Sequence, residues 1–61
     1  MESGKRILIA DDDPDLIDFL ESYFKKAGHT VTARVNGKDA LQAAEAEKFD
    51  LVLLDVMMPY I

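Results

Sequence analysis

The sequence predicts an α/β chain in which three short parallel strands alternate with two helices. Three observations predict it. Two continuous apolar runs, ILIA at Ile7–Ala10 and LVLL at Leu51–Leu54, each stop at an aspartate, as strands covered on both faces do. Two stretches with helical spacing follow the first run, and a segment of strict alternation separates them. Short strands joined through helices of about ten to fourteen residues imply right-handed crossovers and a parallel sheet.

The first strand is placed at 6–10. Asp13 and Pro14 then start a helix, because an aspartate can accept from free backbone N–H groups and a proline at the first helical position loses no needed donor. Asp15 suits the positive end of the helix dipole. Leu16, Ile17, Leu20, Phe24 and Ala27 recur at helical spacing, Phe19 and Tyr23 widen the stripe, and Asp18, Glu21, Ser22 and Lys25 take the wet side. Lys25 and Lys26 near the negative end, with Gly28 as a left-handed cap, close this helix over 14–27.

Val31, Ala33 and Val35 alternate with Thr30, Thr32 and Arg34, the pattern of a strand with one covered face, so the second strand, 30–35, is placed at a sheet edge. Asn36 caps a second helix over 37–48, with Asp39 in capping-box position and Ala40, Leu41, Ala44 and Phe49 on its inner side. The third strand takes 51–55, followed by a tail at 56–61. With the second strand at one edge and the first inside, the spatial order is 2-1-3. The third strand is left as an open apolar edge.

Composition narrows the function. Twelve acids against seven bases give a net charge of -5, which argues against a nucleic-acid or anionic-membrane surface. No apolar run approaches the eighteen or so residues of a membrane span, no signal-peptide core follows the first residues, and there are no cysteines. The chain reads as soluble and cytoplasmic. Sixty-one residues bury only about 60 % of the surface that the unfolded form exposes, so a partner or an ion would help the fold.

In open parallel sheets, ligands bind beyond the carboxyl ends of the strands where the winding reverses. Asp11 and Asp12 follow the first strand and Asp55 ends the third, so the order 2-1-3 brings three carboxylates to one crevice. A carboxylate cluster without imidazole or thiolate suits a hard ion, here Mg²⁺. Asp55 could then attack a phosphoryl donor as a carboxylate nucleophile. Asp13 and Asp15 are read as cap and dipole residues, His29 as a solvated loop residue, and Met57 and Met58 as packing or interface residues. No glycine-rich phosphate loop, nucleophile elbow or His-metal motif is present.

ILIADDDPD, GHTVTARVNGKDAL and FDLVLLDVMMP together resemble the first half of a bacterial response-regulator receiver domain, the phospho-accepting module of two-component signalling. The resemblance covers nearly the whole chain. It implies a flavodoxin-like, doubly wound sheet ordered 2-1-3-4-5, of which strands 2, 1 and 3 are here. It makes Asp55 the phosphoacceptor, Asp11 and Asp12 the acidic pair that holds Mg²⁺, and Met57 the residue whose backbone carbonyl completes the metal site. Pro59 matches the loop proline after the acceptor strand.

The resemblance also implies a histidine kinase as partner of the parent module. The family's Ser or Thr after strand four and Lys after strand five fall outside these residues, so the chain is not expected to be an enzyme and its own phosphotransfer is expected to be inefficient. An alternative of another class is structural assembly. Two copies of a half-sheet would pair through the third strand and tail, with Leu51, Leu53, Tyr60 and Ile61 at a homodimer interface.

Overall fold

The structure is a computed structural model, and it describes residues 4–54. Its elements are β1 (Arg6–Ala10), α1 (Pro14–Lys26), β2 (Thr30–Arg34), α2 (Gly37–Ala46) and β3 (Leu51–Leu54). The sheet has the order β2-β1-β3, and both pairings are parallel. This is the arrangement expected of half a flavodoxin-like sheet. Ile7, Leu8, Ile9 and Ala10 lie beside Val31, Thr32, Ala33 and Arg34 on one side and beside Leu51, Val52, Leu53 and Leu54 on the other.

Successive side chains of a strand point to opposite faces, and β1 uses both. Ile7 and Ile9 pack with Ile17 of α1, joined by Leu20, Phe24, Val31, Ala33 and Leu53. Leu8 and Ala10 pack with Ala40 and Ala43 of α2, joined by Phe49. The two helices therefore cover opposite faces of one buried strand.

The helix starts follow the sequence. The Asp13 carboxylate accepts from the N–H groups of Asp15 and Leu16, with Pro14 opening the helix. The Asn36 side-chain oxygen accepts from the Asp39 N–H at 2.8 Å. Asp39 completes the box through a variant contact, its carboxylate accepting from the Asn36 side-chain amide at 3.2 Å rather than from the backbone. Gly28 has φ of 96°, a left-handed conformation that costs a residue with a Cβ about 1–2 kcal/mol. Its N–H donates to the Lys25 carbonyl and that of His29 to the Phe24 carbonyl.

Several side chains sit differently from the sequence expectation. The buried stripe of α1 is narrow: Ile17 is buried and Leu20 and Phe24 half-buried, while Leu16, Phe19 and Tyr23 are exposed. One helix over a three-stranded sheet cannot cover a stripe that wide. Ala27 is an exposed cap residue rather than part of the stripe. On α2 the buried pair is Ala40 and Ala43, and both Leu41 and Ala44 are exposed at its β3 side. Small residues let α2 approach β1 closely, which leaves Leu41 at the margin.

The ends of elements differ too. Helix α2 stops at Ala46, because Glu47 turns to extended backbone and pairs with Arg6. Strand β2 stops at Arg34, and Val35 is exposed. His29 is half-buried rather than a solvated loop residue. Its Nδ1 accepts from the Lys5 N–H at 2.9 Å, and its ring lies 6.0 Å from that of Phe24.

Candidate functional site at the carboxyl ends of β1 and β3

Two parallel strands in register end side by side, and here Ala10 of β1 lies beside Leu54 of β3. Asp11 and Asp12 follow Ala10 in the chain, and Asp55 follows Leu54. The structure thus describes Asp11 and Asp12 of the expected set. Asp55 and Met57, together with Tyr60 and Ile61 of the expected interface, lie outside the described residues.

The turn out of β1 is built around Asp11. Its N–H donates to the Arg34 carbonyl at 3.1 Å, which continues the β1–β2 ladder by one step. Its Oδ1 accepts from the Asp13 N–H at 2.9 Å, a local turn that an Asx side chain makes readily. Asp13 in turn caps α1, as the sequence indicated. The three consecutive aspartates are therefore divided between tasks. Asp13 is committed to the helix and Asp11 is half-buried with one oxygen in the turn, while Asp12 is exposed on the same turn.

On the α1 side of these strand ends lies an open depression of about 280 Å³, walled by Ile9, Ala10, Leu20, Leu53 and Leu54, with Asp11 the one charged residue among the described residues that line it. A carboxylate at the rim of an apolar wall offers hard oxygen donors and suits Mg²⁺ better than a softer ion. Among the described residues, no three of His, Cys, Asp or Glu gather closely enough to hold a metal. Asp11 and Asp12 can supply part of a divalent site that a further carboxylate would complete. No helix among the described residues is long and apolar enough to cross a membrane.

One feature at the opposite end of the sheet has no local sequence signal. The Arg6 N–H donates to Asp50 Oδ2 at 2.8 Å, and the Asp50 N–H donates back to the Arg6 carbonyl at 2.8 Å. The Arg6 guanidinium pairs with Glu47 and lies 5.6 Å from the centre of the Phe49 ring. Residues this far apart in sequence show their relation only once β1 and β3 are paired.

A model of the response regulator receiver domain family matches residues 7–61. The transcriptional activator protein PfeR of Pseudomonas aeruginosa is 46% identical over 54 residues, which cover 88% of this chain and 18% of that protein. The alkaline phosphatase synthesis transcriptional regulatory protein PhoP of Bacillus subtilis is 40% identical over 56 residues, or 92% of this chain and 23% of that protein. The response regulator receiver protein CpdR of Brucella abortus is 46% identical over 55 residues, or 90% of this chain and 46% of that protein. The chain therefore spans less than half the length of each of these curated relatives. No solved structure matches it. The parallel order β2-β1-β3, the acidic turn after the central strand and a family match over nearly the whole sequence agree, and the chain belongs to the response regulator receiver domain family.

Proposed function

We propose that this chain is the acceptor-bearing part of a two-component receiver in the cytoplasm, with Asp55 as the residue that takes a phosphoryl group from a histidine kinase. The observation that carries this reading is the register of β1 and β3. Ala10 and Leu54 are partners, and the acidic pair and Asp55 are the residues that follow them in sequence. In the transfer, a carboxylate oxygen of Asp55 forms a bond to phosphorus as the phosphorus–nitrogen bond of the donor breaks, the imidazole nitrogen keeping the electron pair.

Asp11, Asp12, Asp55 and the backbone carbonyl of Met57 are the residues that would hold Mg²⁺. When bound, the ion supplies positive charge that lets three carboxylates and an incoming phosphoryl group share one crevice. The half-buried position of Asp11, with Oδ1 held by the Asp13 N–H, supports a preset donor on that side. Incubation with acetyl phosphate and Mg²⁺, followed by intact-mass measurement, tests the reading. A slow, partial single phosphoryl adduct that disappears in Asp55→Asn is expected. An adduct that persists in that variant, or none in the unaltered chain, would overturn it.

The family match does not favour the alternative of a purely structural assembly unit; pairing of two copies is a finer proposal for the same receiver, and the exposed edge of β3 supports it. Leu51, Val52 and Leu54 are 43%, 43% and 50% exposed, and β3 is an edge strand among the described residues. Such an edge is a template for pairing with another strand. A two-fold axis beside β3 would pair two copies of the chain, with Leu51, Leu53, Tyr60 and Ile61 in the interface. Sedimentation equilibrium should show a dimer that Leu53→Lys dissociates; a monomer at every concentration would remove this reading.

A further inference from the structure

Helix α1 carries an exposed row of side chains that is self-complementary. Asp15, Phe19, Tyr23 and Lys26 follow one another at spacings of four, four and three residues, so they stand on one face of the helix. All four are exposed, the two rings at 66% and 61%. Leu16, 40% exposed and three residues before Phe19, widens the row.

Two features separate this row from an ordinary wet helix face. The Tyr23 ring is already placed, because it meets the Phe24 ring edge-on with centroids 5.2 Å apart and planes at 79°, so little side-chain freedom is left to lose on contact. Among the described residues, the Asp15 carboxylate and the Lys26 ammonium take part in no ion pair, whereas Glu21 and Lys25 on another face of α1 are paired with each other. The row thus ends in one free acid and one free base, with two rings between them.

Turned end for end, the row keeps its order of charge, ring, ring and opposite charge. Two α1 helices related by a two-fold axis across their length run antiparallel. With the axis at the level of Glu21, Phe19 of each copy faces Tyr23 of the other. Asp15 of each copy then stands within one residue, about 1.5 Å, of the level of Lys26 of the other. Opposite ends of the two helix dipoles also lie side by side.

We propose that the face of α1 bearing Asp15, Phe19, Tyr23 and Lys26 is a homotypic contact, on which a second copy of this chain packs its own α1 antiparallel. The inference is independent of the phosphoacceptor reading, and its surface is distinct from the β3 edge. One helix face falls short of the roughly 800 Å² per partner of a standard interface, so the contact is weak, with half-association expected at about 0.1–1 mM.

Sedimentation equilibrium over a series that reaches the millimolar range tests it, with circular dichroism on the same samples to check that these exposed substitutions keep the fold. Phe19→Ala should weaken association roughly tenfold. Asp15→Lys and Lys26→Asp, each alone, set like charges opposite one another at both ends of the contact and should weaken it by about the same factor. An equimolar mixture of those two variants restores opposite charges at both ends and should associate as the unaltered chain does. The two variants move the net charge of -5 by two units in opposite directions, so both stay negative and a general attraction does not imitate the rescue.

A monomer throughout the series would overturn the proposal. So would a mixture no more associated than its components, or variants that associate as the unaltered chain does. Association lost in Leu53→Lys but kept in Phe19→Ala would assign the pairing to the β3 edge and overturn it as well.

Discussion

Strands β1 and β3 look alike as sequence and differ sharply as structure. Each is a continuous apolar run that ends at an aspartate. Yet Ile7, Leu8, Ile9 and Ala10 are 1–2% exposed, whereas Leu51, Val52 and Leu54 are nearly half open to solvent. Composition tells that a segment wants cover on both faces. Position in the sheet decides whether it gets that cover, and among the described residues β1 has a strand on each side and a helix on each face while β3 has one neighbour.

The sharpest way to break this comparison is to place the same charge on both strands. Leu8 and Val52 are direct partners, so they differ in burial more than in surroundings. Leu8→Lys leaves a charge unpaired in the core at a cost of about 3–5 kcal/mol, enough to unfold so small a chain. Val52→Lys should cost about 1 kcal/mol or less, because an edge lysine can keep its ammonium in water. Denaturant midpoints followed by circular dichroism check both; equal losses would mean that β3 is covered as fully as β1.

A smaller effect separates backbone geometry from burial. Gly28 ends α1 with a left-handed φ, and a Cβ there meets nothing within 4 Å. Gly28→Ala should therefore cost about 1–2 kcal/mol from conformation alone, read as a lower denaturant midpoint with an unchanged slope. Gly4 is the contrasting case, since a Cβ there would come within 2.7 Å of the Gly28 carbonyl carbon.

The helix starts sharpen the comparison between the two sheet faces. Asp13→Ala and Asn36→Ala each remove a cap, worth about 1 kcal/mol. The second should be felt more in amide exchange at Ala40 and Ala43, because α2 covers its face with alanines only. The smallest effect belongs to the Glu21–Lys25 pair on the outer face of α1, 2.9 Å apart. Glu21→Gln should change stability by about 0.3–0.5 kcal/mol and less at high salt.

What could be read in the sequence follows the range of the interactions concerned. The caps at Asp13 and Asn36 and the glycine at the end of α1 are local, and each is where the residue pattern puts it; the strands depart from their patterns, with Val31, Thr32 and Ala33 of β2 half-buried alike and β3 mostly exposed. The order β2-β1-β3 was legible because the alternation of β2 marks an edge and the continuous run of β1 marks a centre. The helix faces were harder. Phe19, Tyr23 and Leu41 fit an apolar stripe by spacing, but the width actually buried depends on how much sheet lies beneath.

The acidic pair was visible as residues beside a predicted strand end, and the structure adds the division of labour between Asp11 and Asp13. The Arg6–Asp50 contact and the acceptor role of His29 were not legible. Both join segments far apart in the chain, and nothing in either segment alone announces its partner.

The most direct measurement is the melting temperature of the chain with and without Mg²⁺, compared with that of Asp55→Asn. An ion that binds the folded state selectively raises its stability. If the ends of β1 and β3 form one divalent site, Mg²⁺ raises the melting temperature of the unaltered chain and leaves Asp55→Asn unchanged. An equal rise in both, or none in either, would contradict the account.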